Sequence, residues 1–269
     1  VGDHHWFIKD MPSSDWVHDL DKHGITNYRG AVWSDPYASE ADLNQLEKGW
    51  FVSAMPDLNQ DNELLTNYLI QNTLWWIEYS GIDGIRMDTH VYPDKEYMAR
   101  WAKRVLTEYP NFNIVGEAWV NTVPHQAYWQ QNFKGSDDGY NSHLPSVTDF
   151  PLEYAMVDAF VQDFGWKSGL MRLYYTLAQD HVYHEPNKNV IFLDNHDVDR
   201  FYTQIKEDKE YFKMAYAFLM TTRGIPQVYY GTELMFENKQ GLGKDAGKRP
   251  DMPGGWPDDE RSVFTEEGR

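Results

Sequence analysis

At 269 residues the chain approaches the length of a whole eight-stranded α/β barrel and exceeds any single small module. A formal net charge of -18 argues against nucleic acid and anionic membrane surfaces as partners and leaves neutral ligands, sugars among them. Cysteine is absent, which excludes disulfides, a thiolate metal site and a cysteine nucleophile.

No apolar run has transmembrane length, and Val1-Gly2-Asp3-His4-His5-Trp6 does not read as a secretory signal, so cytoplasmic, periplasmic and secreted locations all stay open. Aromatic residues make up 16% of the chain. Most rings in any fold fill the core, but ring faces also suit the apolar C–H faces of sugars.

Residues 1–60 are rich in Asp, Gly, Pro and Trp and read as an irregular, loop-rich insertion, with one strand-like piece near Trp50-Phe51-Val52. From Asn62 the pattern changes. Leu65, Tyr68, Leu69, Asn72 and Trp76 recur at helical spacing behind Asp61 or Asn62 as N-cap. Ile82–Met87 reads as a buried strand. Pro93-Asp94 then opens a helix with Tyr97, Met98, Trp101, Val105 and Leu106 on its apolar face. Asn113–Val115 is strand-like, and a polar stretch leads to Ser146–Phe150. Helices are expected over Leu152–Phe164, Leu170–Ala178 and Asp208–Thr221, with strands at Asn189–Leu193 and Gln227–Tyr230. Alternating strands and helices imply right-handed βαβ units and a parallel sheet. About five strands are visible where a closed barrel needs eight. Beyond Glu233 the chain reads as a Gly- and Pro-rich loop.

Three acids end strand-like runs: Asp88, Glu117 and Asp197. Any one of them alone is more often a solvated or structural carboxylate than a functional one. A parallel barrel, however, gathers its strand ends at one mouth, and two carboxylates flanking a bond are the basic equipment for glycoside cleavage. Arg86 precedes Asp88 by two residues and so shares its face of the strand.

The segments around these acids resemble the α-amylase family, glycoside hydrolase family 13. Gly84-Ile85-Arg86-Met87-Asp88 is similar to its nucleophile strand, Gly116-Glu117-Ala118-Trp119 to its acid/base strand, and Phe192-Leu193-Asp194-Asn195-His196-Asp197 to its third catalytic segment. Gly224–Glu233 resembles its last barrel strand. Met55-Pro56-Asp57-Leu58-Asn59 resembles the short motif of the inserted domain in the neopullulanase, cyclomaltodextrinase and oligo-glucosidase branches. Five segments in the right order make the resemblance specific over residues 55–233. It implies an α/β fold, a (β/α)8 TIM barrel present from about its fourth strand to its eighth (61–269) behind an inserted subdomain (1–60). It also implies Asp88 as nucleophile, Glu117 as acid/base and Asp197 as transition-state stabiliser. Arg86, His196, Asn195, Trp119 and His90 become expected substrate-binding residues. Arg86 as a plain barrel ion pair, His196 as a core histidine and Trp119 as mere packing are the structural alternatives.

Two departures stand out. The family's Asn-His signature at the end of the third strand is absent, so the chain reads as a fragment, and a half-open barrel is expected to be weakly active or inactive by itself. Val91 and Tyr92 stand where many members carry Lys-His, which puts leaving-group preference and the usual calcium site in doubt. No cofactor is expected. Acidic loops can bind calcium through oxygen ligands, but no clear ligand motif supports it, and His4-His5 lacks a third zinc ligand. The expected partner is an α-glucan: malto-oligosaccharides, pullulan or cyclodextrins, cleaved at α-1,4 bonds with retention. Oligomerisation would use regions outside the chain. Transglycosylation is the close alternative. A catalytically inactive amylase-like binding protein and a metal-dependent barrel hydrolase are more distant ones.

Overall fold

The computed structural model describes residues 13–241 and 243–254; His4-His5 and the end of the tail lie outside them. The chain gathers into two compact units. One holds Val1–Pro151, Thr176–Val190 and Arg223–Ile225, and the other Leu152–Tyr175, Ile191–Thr222 and Pro226–Arg269.

In the first unit, residues 13–62 contain a helix that the sequence reading did not anticipate, α1 (Glu40–Lys48). Its signal is an N-cap: Ser39 accepts from the Asp42 amide, and Glu40 and Asp42 complement the helix dipole. The apolar periodicity is weak because Leu46 is its one fully buried residue. Trp50 does not build a strand. It makes a single parallel bridge to Ile25 and stacks on His23 with centroids 3.7 Å apart. The Met55–Asn59 motif is tied down by His18 Nδ1 at 2.7 Å from Asp57 Oδ2 and by a bridge from Val17 to Leu58.

Helix α2 (Glu63–Ser80) begins at Asn62, whose side chain accepts from the Leu64 and Leu65 amides. It stops at Gly81, whose φ of 65° is the left-handed conformation glycine adopts without a Cβ penalty. Leu65, Ile70, Leu74 and Ile77 face inward. Helix α3 (Lys95–Glu108) is capped by Asp94 and buries Tyr97, Met98, Trp101 and Val105. Trp101 Nε1 donates to Thr73 Oγ1 at 3.0 Å, which satisfies the indole polar atom and fastens α3 to α2. The short α4 (Val123–Tyr128) follows the second strand and buries Val123, Ala127 and Tyr128.

Strands β1 (Gly84–Met87), β2 (Asn113–Gly116) and β3 (Ser146–Val147) form a parallel sheet in that order, with Gly84 opposite Asn113 and Met87 opposite Gly116. Thr148 then bridges in parallel to Val190 of β4 (Val190–Ile191), which neighbours β5 (Ile225–Pro226). The last strand is thus shorter and earlier than Gln227–Tyr230, although Gln227 still donates to the Ile191 carbonyl. Strands succeed one another in chain order with helices between, the repeat of a (β/α)8 barrel, and five strands are present among the described residues. The core of the first unit packs Ile70, Leu74, Met98, Trp101, Ile114, Trp129 and Val147 around this sheet. Each fully buried large apolar side chain contributes about 1.5–3 kcal/mol.

Among the described residues β1 pairs on one side only, with β2. The outer face of α2 leaves Trp75, Trp76 and Tyr79 exposed, and Trp75 stacks on Tyr79.

The second unit holds most of α5 (Phe150–Val161) and of α6 (Leu170–Leu177), and all of α7 (Phe201–Gln204) and α8 (Lys209–Thr221). Asp208 caps α8 through the Glu210 and Tyr211 amides. Leu152, Met156, Phe192, Phe201 and Leu219 are buried here, and Phe160 meets Phe201 edge-on at 5.9 Å.

Candidate active site

Asp88 follows the last residue of β1, and Glu117 the last residue of β2. Parallel pairing with Met87 opposite Gly116 therefore carries both acids to the same sheet end. Arg86 lies between them. Its Nη1 donates to Asp88 Oδ1 at 2.8 Å and its Nη2 to Glu117 Oε1 at 2.5 Å. Thr89 has φ 45°, rare for a β-branched residue, and its amide donates to Glu117 Oε2 at 2.8 Å. One guanidinium bound to both keeps the two carboxyl groups near each other.

Their environments differ. The Asp88 side chain is 67% exposed and that of Glu117 only 5%. Burial pushes the Glu117 carboxyl above its ordinary range, and the charge of Asp88 adds to that push. The Thr89 amide and the Arg86 guanidinium pull it back, with a net upward shift. A buried carboxyl whose pKa is raised, beside an exposed, ion-paired acid, is an arrangement that suits acid/base chemistry.

Gly116, just before Glu117, packs too tightly for any side chain. A Cβ there would lie 2.5 Å from Leu144 Cδ2 and 2.9 Å from His90 Cγ. Trp119 stacks on Phe150 with centroids 4.7 Å apart and planes 8° apart, while 39% of its surface remains open. His90 departs from the expectation of a substrate contact. It is fully buried, its ring meets Trp129 edge-on, neither ring nitrogen has a protein partner, and burial lowers its pKa to about 4. It is a neutral core histidine. A cavity of about 540 Å³ opens beside Asp88, with Phe51, Met87, Tyr92 and Trp101 in its largely apolar wall.

The second unit carries Asp197 in the turn after β4. Asn195, also expected to contact substrate, is 4% exposed and spends its Oδ1 on the Asp197 and Val198 amides, so it shapes the turn. His196 Nε2 lies 3.0 Å from Asp197 Oδ2. Arg249, in the stretch expected to be loop, donates to Asp197 Oδ1 at 2.9 Å through Nη2 and to the His196 carbonyl through Nε. Lys248 Nζ donates to the Asp197 carbonyl at 2.7 Å. Among the described residues no three His, Asp or Glu side chains form a group able to hold a metal ion, and no helix is long and apolar enough to cross a membrane.

Residues 2–265 match the family model of the α-amylase catalytic domain. A cyclomaltodextrin glucanotransferase of Bacillus licheniformis is 28% identical over 212 residues, covering 78% of this chain and 28% of the relative. The intracellular maltogenic amylase of Bacillus subtilis (strain 168) is 26% identical over 68% of this chain and 29% of its own length. The α-amylase of Geobacillus thermoleovorans, solved in complex with acarbose, superposes with a TM-score of 0.74 and 29% identity over 93% of this chain and 51% of that one. The chain thus spans about half of that solved structure and under a third of those two curated relatives. Strand-end carboxylates, an incomplete (β/α)8 barrel and a match over nearly the whole chain lead to one conclusion: this chain belongs to the α-amylase catalytic-domain family.

Proposed function

We propose that the chain supplies the catalytic carboxylates of a retaining hydrolase that cleaves α-1,4-glucosidic bonds in malto-oligosaccharides, pullulan or cyclodextrins, nearest in kind to the neopullulanase branch. The observation that carries this reading is the sharing of one guanidinium by Asp88 and Glu117. An inverting enzyme keeps its carboxyl groups ~6.5–9.5 Å apart to seat a water between them, whereas direct attack by one carboxylate needs a closer pair. The single guanidinium between these two carboxyl groups holds them near each other, which favours direct attack.

In this mechanism Asp88 attacks the anomeric carbon and forms a covalent ester as the bond to the leaving oxygen breaks. Glu117 gives its proton to that oxygen. Glu117, now a carboxylate, takes a proton from water as the water oxygen attacks the same carbon, and Asp88 leaves as a carboxylate. Asp197 and His196, in the second unit, offer hydrogen bonds to sugar hydroxyls, and Trp119, in the first, offers its open ring face to a sugar. The chemistry uses side chains alone, so a chelator should leave turnover intact.

The test is Glu117→Gln, in the protein carrying this chain within a whole barrel. Turnover of maltotriose should fall ~10²–10⁴-fold while binding persists. A near-wild-type rate would remove the acid/base assignment. A fluorosugar that forms a slow glycosyl-enzyme should add its glycosyl mass to the wild type and not to Asp88→Asn. Transglycosylation is the second reading, favoured by relatives named cyclomaltodextrin glucanotransferase. Longer or cyclic glucans appearing from maltotriose before glucose would select it.

A further inference from the structure

Asp197 is held by a segment that lies about fifty residues further along the chain. Helix α9 (Lys244–Lys248) ends beside the Asp197 turn, and its last residue and the next send three donors into two consecutive residues. Lys248 Nζ meets the Asp197 carbonyl at 2.7 Å, Arg249 Nε the His196 carbonyl at 2.9 Å, and Arg249 Nη2 the Asp197 carboxylate at 2.9 Å.

Three features set this apart from a chance surface pair. First, Lys248 is only 3% exposed, and desolvating an ammonium costs several kcal/mol unless it is well paired. Its partners are the Asp197 carbonyl and, at 3.8 Å, the Asp199 carboxylate. Second, the segment is anchored from behind. Arg200, fully buried, donates from Nε to the Lys248 carbonyl and from Nη1 to the Tyr230 carbonyl, with its guanidinium 4.0 Å from the Tyr229 ring centroid. Third, the two carboxylate oxygens of Asp197 are held from separate directions, Oδ1 by Arg249 and Oδ2 by His196. A carboxylate offers about four acceptor sites, so roughly two remain for hydroxyl groups of a ligand.

We propose that Arg249, backed by Lys248, is a positioning residue for Asp197: it fixes the direction in which the free lone pairs of that carboxylate meet the hydroxyls of the sugar in the transition state. The inference rests on the glycosidase reading above. A guanidinium that orients a carboxylate, and does not itself bind the ground-state ligand, should act on kcat more than on KM.

The test uses the protein carrying this chain within a whole barrel, with maltotriose as substrate. Arg249→Ala should lower kcat ~10–100-fold and change KM less than about threefold. Arg249→Lys should restore part of the loss, because it keeps the charge and loses the fork. Free guanidinium ion should raise the rate of Arg249→Ala and leave the wild type unchanged. Added to Asp197→Asn, Arg249→Ala should cost nothing further, since both act through one carboxylate.

Wild-type kcat in Arg249→Ala, a loss confined to KM, a loss that adds fully to that of Asp197→Asn, or failure of guanidinium to rescue would each overturn the assignment. The unfolding midpoint of Arg249→Ala, measured alongside, should match the wild type, and a rate loss that merely tracks a lowered midpoint would also overturn it. A wild type that cleaves no α-glucan overturns the glycosidase reading and this inference with it. A wild type that cleaves, with an indifferent Arg249→Ala, overturns this inference alone.

Discussion

Arg86 Nη2 sits 2.5 Å from Oε1 of Glu117, so the residue that burial prepares to carry a proton is also touched by a permanent positive charge. The two influences oppose each other. Desolvation favours the neutral acid, and the guanidinium favours the carboxylate left after the proton has gone. Arg86 thereby ties the ionisation of Glu117 to that of Asp88, its other partner.

Removing Arg86 should have two separable effects. Arg86→Ala should lower kcat/KM ~10²–10³-fold, as loss of a preorganised donor does, because Asp88 loses the group that orients it. The alkaline limb of the pH–rate profile should move to higher pH, since a force that lowers the Glu117 pKa has gone. Arg86→Lys should recover only part of the rate, an ammonium being unable to fork between two carboxylates. A profile that moves to lower pH would contradict the balance described for Glu117.

Gly116→Ala should destabilise the chain by about 1–3 kcal/mol, the usual cost of overpacking. The new methyl would meet Leu144 and His90, neither with room to retreat: both are fully buried. Urea unfolding followed by tryptophan fluorescence measures the loss. An unchanged midpoint would mean that the wall around Glu117 is softer than its packing implies.

Glu153 should make the fold sensitive to alkali. It is 2% exposed, its Oε2 has no partner, and burial, with Asp194 and Asp158 nearby, pushes it up to about 8 from an ordinary 4.5. Burial likewise pushes Asp194 up to about 6, against the opposing pull of the Phe201 amide and Arg200. Folded values above unfolded ones mean that the protonated forms favour folding. Their contribution is complete below the ordinary carboxylate range and is lost as pH rises through about 6 and then about 8. The unfolding temperature should fall between pH 6 and 9, less steeply in Glu153→Gln. Parallel curves for the two proteins would rule Glu153 out as the source.

Arg223 should be a stability residue. Its guanidinium reaches Asp149 at 2.6 Å and Asp180 at 2.7 Å, and the Asp149 side chain is fully buried. Arg223→Ala deprives a buried carboxylate of its charge partner, a change that typically costs ~3–5 kcal/mol. Replacing both Arg223 and Asp149 with apolar residues should cost less than the single change, as denaturant melts of the two variants would show.

Much of this architecture was legible before any coordinates. Asn62, Asp94 and Asp208 announce three helices because a cap and an apolar stripe are both local signals. Arg86 and Asp88 share a strand face by simple alternation. What escaped is what depends on distant partners. Helix α1 buries one leucine, so its periodicity is faint and its Ser39 cap was the better clue. β3 and β5 are two residues each, too short to set their own limits. His90 sits two residues beyond Asp88 but lies in the core, because the left-handed turn at Thr89 comes between them. Arg249 meets Asp197 across 52 residues of chain, and no spacing rule reaches that far.

The bare aromatic face of α2 gives the protein an optical probe of its own. Trp75 is 52% exposed and Trp76 49%. Indoles so placed emit at long wavelength and are open to aqueous quenchers, unlike the buried Trp101 and Trp129. Whatever covers that face should shift the emission to the blue and protect it from iodide, so its binding can be followed in a cuvette without a label.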